Sequence, residues 1–122
     1  FFLRKNNIGK VLIAPTDVRF SKENILQPDI LFIKNENLFK IKEKRIAGAP
    51  DLVIEILSPS TSQLDYEEKK SIYERFGVSE YFIVDPGSKS VDSYFLKEKV
   101  YEEQKTLTGK ISSKILGIKI SF

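Results

Sequence analysis

The run Asp51-Leu52-Val53-Ile54-Glu55-Ile56-Leu57 limits the possible folds more than any other part of this chain. Alternate residues of a strand point to opposite faces, and here both sets are largely apolar. Such a strand is stable only where both faces are covered, so it is predicted to be the central strand of a sheet. Ser58-Pro59-Ser60-Thr61 breaks it. A helix is predicted next, running to Phe76 and stopped by Gly77 at a left-handed cap, with Val78 placed to close it. Before the central strand, short strands are expected at Val11 to Ala14, at Asp17 to Phe20 and at Ile30 to Ile33, the last opened by Pro28-Asp29. Asn35 to Ala49 reads as a charged, irregular excursion with one helical turn. After the helix, Glu80 to Asp85 is a strand ending in the turn Asp85-Pro86-Gly87. Val91 to Phe95 and Val100 to Gln104 form a hairpin, and Leu116 to Phe122 a last strand. The expected fold is a mixed α/β sheet with one core helix after its central strand.

Composition then restricts the chemistry. At 122 residues the chain is expected to be one domain, spanning 1–122. It has no histidine and no cysteine, which excludes zinc fingers, thiol nucleophiles, Ser-His-Asp triads and disulfides. Any metal must be held by oxygen ligands, which favours hard cations such as magnesium, manganese or calcium. Acid–base work falls to carboxylates, lysine, tyrosine, hydroxyls or water. Methionine is also absent and the chain opens at Phe1, so an N-terminally truncated domain is expected, with Phe1 to Asn6 the tail of a largely missing helix. No apolar run approaches the ~20 residues that span a bilayer, and no signal peptide is visible, so a cytoplasmic domain is expected. The net charge of +3 suits a polyanion partner. Only four of the 20 cations are arginine (Arg4, Arg19, Arg45, Arg75), which argues against sequence-specific base reading by bidentate contacts.

Three residues break the pattern. Glu55 sits in the middle of the most apolar strand, where a lone carboxylate costs several kcal/mol unless it is paired or holds a cation. Asp29 heads the apolar strand after Pro28, where a polar strand-entrance residue is also common. Lys69 is selected by the helical wheel. At about 100° per residue, Tyr73, Phe76 and Ile72 fall within about 60° of it, so the apolar stripe is centred on this lysine. A snorkelling lysine would show the same position. Asp65 falls on the same side and, with Glu68 three residues on, also fits a capping arrangement. Lys70 is rotated toward solvent. Two acids and an inward lysine form a set capable of metal-assisted phosphodiester hydrolysis without histidine.

With these residues in view, the sequence resembles the PD-(D/E)xK nuclease superfamily, through Pro28-Asp29 and Glu55 in its hydrophobic strand. More specifically, the run from Pro50 to Thr61, with Asp65, Lys69, Tyr73, Gly77-Val78, Glu80-Tyr81-Phe82 and Asp85-Pro86 at their spacings, resembles the Uma-type restriction endonucleases. The resemblance extends from about Gly9 to about Tyr94 and implies a restriction-endonuclease-like fold. It puts Asp29 and Glu55 at the metal-binding acids. The superfamily's usual lysine position, two residues after the second acid, holds Leu57, and the Uma-type pattern moves that lysine to Lys69 on the helix. The resemblance implies Mg2+ or Mn2+ as cofactor, DNA as the nucleic-acid partner and a homodimer.

The expected function is therefore a metal-dependent endonuclease hydrolysing phosphodiester bonds in DNA, with catalytic residues Asp29, Glu55 and Lys69. The alternative is a non-catalytic nucleic-acid-binding or regulatory module that retains the fold. Tyr73 and Phe76 read as core aromatics, and Glu80 and Tyr81 as the start of a strand. Ser58 and Ser60 suit either a phosphate contact or a plain loop. Lys40, Lys42, Lys44 and Arg45 suit either a DNA path or a solvated face.

Overall fold

A computed structural model describes residues 8–59 and 63–122. The expected helix tail at residues 1–6, and Ser60 and Thr61, lie outside the described residues.

The Asp51 to Leu57 run forms strand β6 (Leu52–Ile56). Its neighbours are β4 (Ile30–Lys34) on one side and β7 (Glu80–Val84) on the other. Outward from these lie β1 (Gly9–Ile13) next to β4, and β8 (Ser90–Lys97) next to β7. β9 (Val100–Glu103) and β10 (Leu107–Thr108) both pair with β8, which completes a seven-stranded sheet in the order β1-β4-β6-β7-β8-β10. β6 and β7 run parallel, and every other pair in this sheet is antiparallel. Parallel neighbours cannot be joined by a hairpin. The crossover is helix α1 (Gln63–Phe76), so the helix expected after the central strand links two parallel strands.

Strand alternation sorts the core into two layers. Leu31, Ile33, Val53, Tyr81 and Tyr94 face α1 and pack with Tyr73, Val78, Val18 and Ile46. Phe32, Leu52, Ile54, Phe82, Val84 and Val91 face the other way and pack with Ile111 and Leu116. Those last two residues belong to a C-terminal hairpin of β11 (Lys110–Ser113) and β12 (Ile118–Ser121). β6 is thus covered on both faces, as its composition requires. Each fully buried Leu, Ile, Val or Phe side chain contributes about 1.5–3 kcal/mol relative to exposure.

Several details differ from the sequence reading. The expected single strand at Leu116 to Phe122 is the second half of a hairpin, and Leu116 sits in its turn. Its first half, Lys-Ile-Ser-Ser, has one strongly apolar residue and gives no strand signal alone. Glu80 anchors this hairpin: its carboxylate accepts from the Ser113 hydroxyl at 2.6 Å and from the N–H groups of Lys114 and Ile115 at 3.0 and 3.1 Å. The excursion after β4 contains a six-residue 3-10 helix, Asn35–Lys40, and then β5 (Ile46–Ala47), whose Ile46 enters the core. β5 joins β2 (Val18–Arg19) and β3 (Ile25–Leu26) in a separate three-stranded sheet. Asp51, at the mouth of β6, holds the 3-10 segment by accepting from the Lys34 N–H at 2.8 Å and the Asn37 amide at 2.9 Å. Among the described residues no helix is long and apolar enough to cross a membrane.

The helix ends as predicted. Gly77 has φ +88°, and the Val78 N–H donates to the Tyr73 carbonyl at 2.9 Å, with Val78 itself fully buried. An added Cβ at Gly77 meets no atom within 4 Å, so a substitution there costs only backbone strain. Gly77→Ala is expected to lower stability by about 1 kcal/mol. Gly9→Ala should cost more, because its Cβ would run into the Ile33 carbonyl oxygen and lie 2.6 Å from the Phe32 ring. Urea unfolding of both variants tests this order.

Candidate active site

Register brings the two expected acids together. β4 and β6 pair with Ile30 opposite Ile54, so the next position along puts Asp29 opposite Glu55, on the face covered by α1. The Asp29 carboxylate accepts from the Ile56 N–H at 2.7 Å, and its own carbonyl accepts from the Ala14 N–H at 2.9 Å. Asp29 therefore ties the ends of β1 and β6 to the start of β4. Its side chain is half-buried. Glu55 is only 2% exposed.

The helix supplies the rest. Lys69 and Tyr73 are one turn apart on the inner face of α1, and both reach the same oxygen of Glu55. The Tyr73 hydroxyl donates to Glu55 Oε2 at 2.6 Å. The Lys69 ammonium lies 3.7 Å from Oε2 and 5.9 Å from the centre of the Tyr66 ring. Lys69 is half-buried, with its stem packed and its charge turned to the acid.

Burial pushes the Glu55 carboxyl above the usual carboxylate range, since the interior disfavours the ion. The Tyr73 hydroxyl and then the Lys69 charge act against this, the negative Asp29 adds to it, and the Asp29 backbone N–H opposes it again. Tyr73 is held protonated by burial and by the charge of Glu55, so it serves as a donor throughout the physiological range. Tyr81, whose hydroxyl has no partner among the described residues, is likewise held protonated by burial first and by Glu55 second.

Sequence reading placed Tyr73 in the core and missed its hydroxyl. The available signal was its spacing, four residues after an inward lysine on the same helical face. Lys70 does not simply point to solvent: its ammonium sits 4.2 Å from the centre of the Tyr94 ring, a stabilising position for a cation. Asp65 is exposed, on the first turn of α1. The basic run after β4 is divided. Lys40 donates to the Ala49 carbonyl at 2.8 Å and serves the loop, whereas Lys42, Lys44 and Arg45 are exposed. This run leaves the sheet from the end of β4 opposite to Asp29.

A buried acid and a second acid beside it on the sheet meet a lysine delivered by the crossover helix. A family model described as "Putative restriction endonuclease" (Uma2) matches residues 1–121. The chain belongs to the Uma2 family. Its fold is shared with a crystal structure described as "a putative nuclease belonging to DUF820 from Anabaena variabilis". That match has a TM-score of 0.75 and 20% identity, and covers 98% of this chain and 69% of the other. No curated protein matches the sequence. In this Uma2 member, the restriction-endonuclease-like mixed sheet expected from the sequence is the fold observed.

The raised Glu55 carboxyl has a consequence for stability. The folded protein keeps this proton to higher pH than the unfolded chain, whose carboxyl titrates near 4.5. Over that interval the native state binds more protons, so stability falls as pH rises above 4.5, and the loss is complete once folded Glu55 has ionised. Glu55→Gln removes the loss while keeping an acceptor for Tyr73. Without added metal, the variant should match the parent below about pH 4 and exceed it at neutral pH. Denaturation midpoints across this range provide the measurement.

Proposed function

We propose that this Uma2 member is a metal-dependent endonuclease that hydrolyses phosphodiester bonds in DNA through Asp29, Glu55 and Lys69. The observation that supports this most is Glu55: a carboxylate kept in the core against its desolvation cost, with a second acid at the adjoining register position and a lysine on its oxygen. A purely structural carboxylate has a cheaper solution in the same molecule. Glu80 is equally buried and is satisfied by a hydroxyl and two N–H groups, with no ion pair to its carboxylate among the described residues.

The donor set fits a hard cation. Two carboxylates on neighbouring strands offer oxygen ligands, the chain has no His or Cys, and the described residues contain no cluster of three or more acids that would complete a shell without water. Mg2+ or Mn2+ held by Asp29 and Glu55 would supply Lewis-acid activation of water and charge neutralisation at the phosphoryl group. The side chains do the rest. Asp29 is oriented by the Ile56 N–H, which fixes one of its oxygens. Tyr73 fixes Oε2 of Glu55 from the core side. Lys69 presents positive charge where negative charge grows on the phosphoryl oxygens as water adds to phosphorus and the bond to the leaving sugar oxygen breaks. The net charge of +3 supports a polyanionic substrate.

A second reading has a specific observation behind it. Glu55, Lys69 and Tyr73 form a self-contained pair and hydrogen bond, which suits a binding module that keeps the fold without turnover. Plasmid and short-duplex cleavage in Mg2+, Mn2+ and EDTA separates the two. Wild-type chain is expected to cut only with metal, and Asp29→Asn, Glu55→Gln and Lys69→Ala each to lose at least about a hundredfold in rate. Metal-independent cutting, or cutting that survives Glu55→Gln, would overturn the assignment. DNA binding in EDTA with no cleavage under any metal would favour the module.

Tyr73→Phe isolates the positioning hydrogen bond, since the ring still fills its core site. A bond to a charged group is worth about 1.5–3 kcal/mol. The variant is expected to keep KM, to lose roughly tenfold or more in kcat, and to recover part of that loss at higher Mn2+. Steady-state kinetics over a manganese series would show whether KM moves instead.

A further inference from the structure

Beside the candidate site is a cavity of about 210 Å³ that the mechanism above leaves unused. Leu57 and Ile83 give it apolar walls, Tyr66 and Tyr94 aromatic ones, and Lys70 and Asp92 stand at its polar side. Its place in the sheet is set by register. Ile83 is opposite Glu55 on β7, and Asp92 is opposite Ile83 on β8. Asp29, Glu55, Ile83 and Asp92 therefore form one row on the face covered by α1. Asp92 lies two strand spacings from Glu55, roughly 10 Å. That spacing is within reach of the nucleotide adjoining a phosphate placed at Glu55.

The lining is suited to a base rather than to a phosphate. Asp92 is half-buried, and the Thr106 hydroxyl donates to its Oδ1 at 2.8 Å, which holds the carboxylate in place. Glu67 lines the same cavity, so two carboxylates face a single ammonium. The hydroxyl of Tyr94 registers that negative charge: after burial, Glu103, Asp92 and Glu67 all act to keep its proton. A second phosphate would be repelled here, whereas an N–H donor would be accepted. The volume is below the ~300 Å³ at which pockets for drug-sized ligands begin, so one flat ring fits and a base pair does not.

We propose that this cavity receives a single unpaired nucleobase bearing an exocyclic amino group, cytosine above all, from the nucleotide next to the scissile phosphate. The proposal rests on the reading of Asp29, Glu55 and Lys69 as the cleavage site. Carboxylates accept from the cytosine amino group, whereas thymine turns a carbonyl oxygen toward them. Adenine and guanine carry amino groups on a larger ring system. Lys70 moves from the Tyr94 ring to a flanking phosphate. The preferred substrate is thus single-stranded DNA, or duplex DNA opened at the cut.

The test uses the full chain with short homopolymers of deoxycytidine and deoxythymidine, in binding titrations with EDTA and in cleavage with Mn2+. The deoxycytidine strand is expected to bind roughly tenfold more tightly, and Asp92→Asn, which keeps an acceptor for Thr106 but adds a donor, to abolish or invert that preference. Lys70→Ala should weaken both strands alike and lower the salt dependence by about one unit. Equal binding of the two homopolymers by the wild-type chain overturns the proposal, whether or not the variants fold. So does a cytosine preference that survives Asp92→Asn. Either result, seen alongside metal-dependent cleavage that Glu55→Gln abolishes, rejects the cavity and leaves the nuclease reading standing. A cytosine preference lost in Asp92→Asn, with no cleavage under any metal, supports the base site and rejects the nuclease reading.

Discussion

The parallel pairing of β6 with β7 is the constraint on which the rest of this structure depends. Two parallel neighbours require a connection that leaves the sheet and returns, and the right-handed crossover helix is the standard solution. Helix α1 therefore lies over β6, and its inner face meets the strand where Glu55 sits. Lys69 and Tyr73, one turn apart, then converge on one carboxylate oxygen from above. Asp29 arrives from the other side by antiparallel pairing of β4. The same crossover closes one core layer through Tyr73, Tyr81 and Val53, so the element that completes the site also covers half of the sheet.

This economy has an electrostatic cost. A carboxylate in the core loses hydration, and a hydrogen bond from Tyr73 and a partly exposed lysine offset that loss only in part, which leaves Glu55 with a raised carboxyl. The comparison with Asp51 and Glu80 is informative. Both are buried acids, and both are surrounded by hydrogen-bond donors that hold loops or a hairpin in place. Burial of an acid is thus a general building device in this molecule. Glu55 differs because its surroundings combine a cation with a second negative group, and the proposed metal site rests on that difference.

Much of the fold was legible in the residues. The doubly apolar run gave β6 its central place, the helix ended at Gly77 as its left-handed φ requires, and the strand at Glu80 to Asp85 was read to within a residue. The C-terminal hairpin was half seen, because Lys-Ile-Ser-Ser has little apolar pattern and gains its stability from Glu80, some 30 residues earlier in the chain. The strands β3 and β5, two residues each, were invisible for a similar reason: pairings that short exist only because β2 lies between them. At the candidate site, the wheel located Lys69 because periodicity records which face of a helix is inward.

By itself the sequence determined which chemistry was open, through the absence of His and Cys, and which strand must be central, through two apolar faces broken by one acid. These are properties of residue type and local spacing, which require no knowledge of distant neighbours. Only the tertiary structure decided that Asp29 stands opposite Glu55, that the Tyr73 hydroxyl shares an oxygen with Lys69, and that Lys70 lies over Tyr94. Those facts depend on strand register and on how far α1 sits along β6, and both are settled by packing summed over the whole core rather than by any local run of residues.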